Sequence, residues 1–255
     1  LRRLTVKRLC LILTLTAMVA TPAFSQQSAP EIPFESLPRP LKYSPDMNLG
    51  EILGIAVNSV GHIVILNHPG SANQGPIWSN STTQLLEFDQ DGYYVGEIGK
   101  GVYGIAYAHQ VRFDDEDNLW VVDKAANTVI KFDPDGYVSM NLGRREEGDH
   151  GDVELPNQRE ARAVGGYFNG PTDVAWDPDG NIFVSDGYVN TRVVKFNRDG
   201  EYLMHWGTPG RGPDAGPGEL NTVHGIAIDA QQRVYVSDRG NQRIQVFDAT
   251  GTHLD

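Results

Sequence analysis

The stretch PTDVAWDPDGNIFVSDGYVNTRVVKFNRDG, residues 171–200, decides the fold because it occurs more than once. Its first sixteen residues align without a gap with ILGIAVNSVGHIVILN from Ile52, AHQVRFDDEDNLWVVD from Ala108 and VHGIAIDAQQRVYVSD from Val223. Each copy continues into a second block, ending at Gly92, Gly136, Gly200 and Gly251, and three of these run on to a closing glycine at Gly99, Gly143 and Gly207. Within a copy, apolar and polar residues alternate with the period of a strand, as in Arg243-Ile244-Gln245-Val246-Phe247. The Asp-Gly pairs between runs are hairpin-turn signals, since glycine accepts a positive φ. Four short antiparallel strands per unit, with unit starts spaced 52 to 63 residues apart, form the pattern of β-propeller blades. A β-sandwich would use similar turns but gives no reason for self-similarity without gaps. The expected fold class is all-β, a propeller of four-stranded blades.

The chain has 255 residues, is 40% hydrophobic and 21% charged, and carries a formal charge of −12. That composition is globular. Residues 1–25 differ from the rest: Arg2, Arg3, Lys7 and Arg8 precede an apolar run from Leu9 to Ala20, and Ala23-Phe24-Ser25 offers a signal-cleavage site. Read as a signal peptide, this segment predicts a periplasmic or secreted protein. Its loss removes four positive charges and takes the formal charge from −12 to −16, which argues against a nucleic-acid partner. The single cysteine, Cys10, falls inside the leader, so disulfides and thiolate chemistry are not expected. No later apolar run reaches the ~20 residues needed for a transmembrane segment. Residues 26–46, with Pro30, Pro33, Pro38, Pro40 and Pro45, read as a proline-rich tether, and 47–255 as the propeller.

The repeated units resemble NHL repeats, and residues 171–196 together with VHGIAIDAQQRVYVSDRGNQRIQVF at 223–247 are similar to the core of peptidyl-α-hydroxyglycine α-amidating lyases. The resemblance covers roughly residues 50–255. It implies a six-bladed propeller with zinc in its central channel, and a structural calcium. It also implies a carbon–nitrogen lyase that cleaves α-hydroxyglycine-extended peptides to a peptide amide and glyoxylate. Four units are visible, so a six-blade count predicts that this sequence is a C-terminally truncated piece.

Innermost strands of a propeller run the same way along the channel, so equal repeat positions share one height. The second position of the aligned block is Leu53, His109, Thr172 and His224. Histidine in units two and four places imidazoles about 120° apart in a six-fold ring. A third histidine, expected beyond Asp255, would complete a catalytic zinc arrangement with one open position. The resemblance makes His109 and His224 the first two metal ligands. The motif DGYxNxR stands intact from Asp186 to Arg192, and by resemblance Tyr188 is the catalytic tyrosine. The loop carrying it is one residue longer than in units two and four. Arg239, directly after the aligned Asp238, is by resemblance an active-site arginine, catalytic or substrate-binding. The same register in unit one is His68, a substrate-binding candidate where the family has an arginine.

Other features read as structural. Asp123, Asp186 and Asp238 recur in every full unit, the mark of a blade-stabilising hydrogen bond. His62, His150, His205 and His253 have no repeat partner and read as solvated. Arg144 to Asn169 reads as an exposed loop over one face. Three functions compete: a zinc-dependent lyase acting on a peptide-like carbinolamide; a non-catalytic NHL propeller binding a peptide, glycan or cell-envelope protein ligand; and a calcium-dependent hydrolase of the lactonase kind. The histidine register favours zinc over calcium.

Overall fold

The computed structural model describes residues 31–69, 83–144 and 167–255. The chain forms two units, residues 1–38 and 39–255. In the first, the described residues 31–38 form no strand and are exposed. The expected signal peptide lies outside the described residues, as do His150 and residues 145–166 of the expected loop.

The second unit is a series of up-and-down antiparallel sheets. The first blade is β1 (Glu51–Val57), β2 (Ile63–His68), β3 (Gln84–Phe88) and β4 (Tyr94–Ile98). The second is β5 (Ala108–Phe113), β6 (Leu119–Asp123), β7 (Thr128–Phe132) and β8 (Val138–Gly143). The third is β9 (Pro171–Trp176), β10 (Ile182–Asp186), β11 (Arg192–Phe196) and β12 (Tyr202–Trp206). A two-residue parallel ladder, β13 (Thr208–Pro209) with β14 (Glu219–Leu220), occupies the connection to the fourth blade. That blade is β15 (Val223–Ile228), β16 (Val234–Asp238) and β17 (Arg243–Phe247), and residues 253–255 run along β17 through an isolated bridge from Phe247 to His253. The innermost strands β1, β5, β9 and β15 stand side by side in that order.

The second strand of a blade is buried on both faces, and its sequence shows why. All five residues of β6 are buried. Leu119 and Val121 face the core shared with the first blade, whereas Trp120 and Val122 face the core shared with the third. In β10, Ile182 and Val184 pack towards the second blade and Phe183 towards the fourth. Each such side chain contributes about 1.5–3 kcal/mol of apolar burial. The end of the stretch expected as a tether joins this packing. Lys42 N donates to Gly92 O at 2.7 Å, Tyr94 N donates to Lys42 O at 3.1 Å, and Leu41 and Met47 cover Ile65, Leu86 and Phe88.

The turns differ in one detail from the expectation. Glycine stands at the fourth turn position with positive φ, as at Gly136 (φ 84°), and the working residue is the acid at the first position. Asp133 Oδ1 accepts from Asp135 N at 3.1 Å and from Tyr137 N at 2.8 Å, and Asp89, Asn197 and Asp248 repeat the pattern. The recurring aspartates that end the second strands cap the loop that leads into their own blade. Asp123, fully buried, accepts from Ala106 N at 2.6 Å, Ala125 N at 2.9 Å and Ala126 N at 2.8 Å. Asp186 and Asp238 take Asn169 N and Asn221 N in the same way. Burial pushes the Asp123 and Asp186 carboxyls up despite these donors. Asp123→Ala strands three backbone N–H groups and is expected to cost about 3 kcal/mol. An unchanged urea midpoint would show that the cap carries no weight.

Candidate functional site

Every innermost strand breaks its ladder at one place. In β1 the register slips between Ile52 and Gly54, in β5 between Ala108 and Gln110, in β9 between Pro171 and Asp173, and in β15 between Val223 and Ile226. Leu53, His109, Thr172 and His224 are therefore β-bulge residues, and a bulge re-aims the side chain it carries. Leu53 turns into the core between the first two blades. The His109 and His224 rings meet edge to face with centroids 4.7 Å apart.

Thr172 of the intervening blade supports both imidazoles. His109 Nδ1 lies 2.8 Å from Thr172 O, so Nδ1 carries the proton and donates it, and Nε2 keeps its lone pair as an acceptor. The buried Thr172 hydroxyl donates to Val223 O at 3.1 Å, directly before His224, and Ser185 Oγ donates to His224 O at 3.2 Å. Burial is the main force holding both rings neutral. His109 is pushed down to about 4, with the charges of His224 and Lys124 adding to the effect and the Thr172 carbonyl opposing it. His224 is lowered by burial and then by Arg239. One level further along the channel, Arg112 Nε and Nη2 donate to Asp173 Oδ1 and Oδ2 at 2.6 and 2.7 Å, and Ile226 N donates to Asp173 Oδ2 at 3.2 Å. This pairing ties β5, β9 and β15 together.

The longer third-blade loop brings Tyr188 to the same point. Its ring centroid is 5.8 Å from that of His109 and 6.0 Å from that of His224, and its hydroxyl donates a long hydrogen bond of 3.4 Å to His109 Nε2. The rest of the motif holds the loop. Asp186 Oδ2 accepts from Asn190 Nδ2 at 2.7 Å and from the buried Arg192 Nε at 2.9 Å, while Arg192 Nη2 reaches Tyr167 O at 2.8 Å. Gly187 lies against the Val223 backbone so closely that a Cβ there would overlap the Val223 carbonyl oxygen. The glycine is what lets blade three press its tyrosine onto the histidine of blade four.

Two residues of the site escaped the sequence reading. Lys124 Nζ lies 4.9 Å from the Tyr107 ring centroid and 5.0 Å from that of Tyr188. Lys124 directly follows Asp123, which is the register of Arg239 in unit four, so the repeat could have revealed it. Tyr107 stacks on His68 at 4.1 Å and donates to Glu51 Oε2 at 3.2 Å. It precedes the aligned block, where no periodicity marks it. His68 is fully buried beneath Tyr107, and burial pushes its pKa down. The expected substrate-binding residue of unit one therefore lies beneath the surface, with the Tyr107 ring against it. Arg239 is exposed and stands close enough to His224 to depress its pKa.

The donors present fit zinc: two neutral imidazoles side by side, one with its tautomer fixed by a carbonyl. Among the described residues no third histidine, cysteine, aspartate or glutamate joins them as a metal group. A cavity of about 520 Å³ lies at the opposite ends of the innermost strands, lined by Trp120, Trp176 and the turns at Asp114, Asp177 and Asp229, and contains none of these site residues. His62 and His205, expected as solvated, bond to Glu87 Oε1 at 2.8 Å and to the Tyr202 hydroxyl at 2.7 Å. No helix among the described residues is long and apolar enough to cross a membrane.

Repeated four-stranded up-and-down sheets, with their innermost strands side by side, are the blades of a β-propeller, and the NHL repeat family matches residues 168–196 and 220–247. The chain is homologous to the amidating lyases over about four-fifths of its length. It is 28% identical over 222 residues to a probable peptidyl-α-hydroxyglycine α-amidating lyase of Caenorhabditis elegans, which covers 81% of this chain and 58% of that protein. It is 30% identical over 217 residues to the peptidylglycine α-amidating monooxygenase of Rattus norvegicus, covering 78% of this chain and 20% of the relative. The chain thus spans between one-fifth and under three-fifths of these curated relatives. Among solved structures, a catalytically inactive virginiamycin B lyase from Staphylococcus aureus with quinupristin superposes with a TM-score of 0.55 at 15% identity, over 83% of this chain and 56% of that one, a likeness of fold.

Gly187→Ala tests how the tyrosine is placed. The added methyl cannot coexist with the Val223 carbonyl, so the variant is expected to lose about 2 kcal/mol of stability to overpacking. It should also lose the ring-current shift that Tyr188 imposes on His109. Retention of both stability and shift would disprove the role assigned to this glycine.

Proposed function

We propose that this propeller is an exported, zinc-dependent carbon–nitrogen lyase that cleaves α-hydroxyglycine-type carbinolamides to an amide and glyoxylate. The observation that carries the reading is the convergence of His109, His224 and Tyr188, from three different blades, with ring centroids 4.7 to 6.0 Å apart. Homology to proteins named as amidating lyases supports it. The basic and apolar leader at residues 1–25 supports export.

In the substrate, a carbon bearing hydroxyl and carboxylate is bonded to an amide nitrogen. Cleavage removes the hydroxyl proton, forms the aldehyde C=O as the C–N bond breaks, and returns a proton to nitrogen. His109 Nε2 and His224 would hold zinc, which when bound supplies Lewis-acid stabilisation of negative charge. Tyr188, against His109 Nε2, is placed to take the hydroxyl proton as phenolate and to return it to the departing nitrogen. Thr172 O keeps the His109 tautomer fixed throughout, and Arg239 offers a permanent cation to the carboxylate.

The test is metal content by mass spectrometry on the full chain, beside a His109→Ala, His224→Ala variant, followed by a glyoxylate-release assay. About one zinc per chain, lost in the variant, is expected. Tyr188→Phe should retain zinc and lose activity by 100-fold or more, within the range for general acid–base groups. Absence of zinc from the unmodified protein would overturn the lyase reading in favour of a binding propeller. Full activity in Tyr188→Phe would remove the base assignment.

A further inference from the structure

Lys124 stands at the mouth, and the reaction as described leaves it unused. Its ammonium sits between two phenol rings, 4.9 Å from the Tyr107 centroid and 5.0 Å from that of Tyr188. Among the described residues it makes no salt bridge, although the chain carries a formal charge of −12 and most other partly buried cations found an acid. The acids nearest the mouth are engaged elsewhere: Asp173 holds Arg112 in a two-pronged pair, and Glu51 accepts from the Tyr107 hydroxyl. Lys124 is half-buried, a setting in which an ammonium gains from an anionic partner more than it would in open water.

Its position in the repeat points the same way. The residue directly after the aligned block is His68, Lys124, Gly187 and Arg239 in the four blades, so the propeller presents two permanent cations at one height, in blades two and four. These are the blades that supply His109 and His224. His68, at this register in blade one, is buried and held neutral, and supplies no charge.

We infer that Lys124 is a second carboxylate-binding residue of the site, gripping a small substrate's carboxylate together with Arg239 while the Tyr107 and Tyr188 rings hold its ammonium in place. This rests on the lyase reading for the identity of the substrate, and on the geometry alone for the chemistry of the anion. The ligand class is a carboxylate one carbon from an amide nitrogen.

The experiment uses the full chain in three forms: unmodified, Lys124→Met and Lys124→Arg. The first measurement is kinetic, comparing an N-acyl-α-hydroxyglycine with its methyl ester. Lys124→Met is expected to raise KM for the free acid 10- to 100-fold, the scale of a hydrogen bond to a charged group, and to leave the ester unaffected. Lys124→Arg should recover most of the loss. The second measurement needs no turnover: calorimetric binding of N-acetylglycine beside N-acetylglycinamide, with the thermal midpoint recorded for each variant. Weakened binding of the acid alone, with the midpoint unchanged, supports the assignment. Equal effects on acid and amide, or none on either, would overturn it. If no form cleaves the carbinolamide yet N-acetylglycine binding depends on Lys124, the lyase reading fails and the carboxylate site stands. Activity with a KM indifferent to Lys124 gives the reverse result.

Discussion

The β-bulge at the second position of the repeat, one in each innermost strand, is the constraint on which the site depends. A regular strand alternates its side chains between two faces, and in a blade both faces are claimed by neighbouring cores. Without the extra residue, His109 and His224 would follow that alternation and point between blades. The slip in register frees one residue per blade from the ladder, and whether it becomes core or site is decided by residue type. Leucine turns inward, threonine satisfies its hydroxyl on neighbouring backbone, and the two histidines meet.

Blade three does most of the positioning while contributing no imidazole. Thr172 O fixes the proton on His109, the Thr172 and Ser185 hydroxyls hold the carbonyls of Val223 and His224, and Asp173 clamps Arg112. All of these are backbone acceptors or buried groups with several bonds, so the two rings inherit the rigidity of three strands. The same blade carries the longer loop, and Gly187 lets that loop lie on blade four without a side chain between them. Separation between blades is thus set by hydrogen bonds and one missing Cβ as much as by apolar packing.

Much of this was legible in the sequence, for a physical reason. A blade's second strand is buried on both faces, so its composition is forced and its repeats align without gaps. Innermost strands run parallel to one axis, so position in the repeat converts to height in the channel, which picked out His109 and His224. The capping role of Asp123, Asp186 and Asp238 followed from recurrence alone, and three bonds to Asp123 show what recurs. What could not be read was the fate of residues whose surroundings come from outside the repeat. His68 shares a register with Arg239, but the Tyr107 ring covers it, and Tyr107 belongs to a connection of variable length. The bulge was also hidden, because an extra residue present in every copy leaves a gapless alignment intact.

Charge at the mouth follows from the same geometry. Burial holds His68, His109 and His224 neutral, so the imidazoles offer lone pairs and no net charge. Permanent positive charge comes from Lys124 and Arg239, each the first residue after a second strand, where the chain leaves the sheet and side chains regain access to water. Neutral donors one level down and fixed cations at the rim are separate demands. A channel that admitted water deeply would protonate its histidines near their ordinary value, and a dry one would exclude the cations. The propeller satisfies both by depth alone: the bulge sets the histidines below the rim, and the strand end sets the cations upon it.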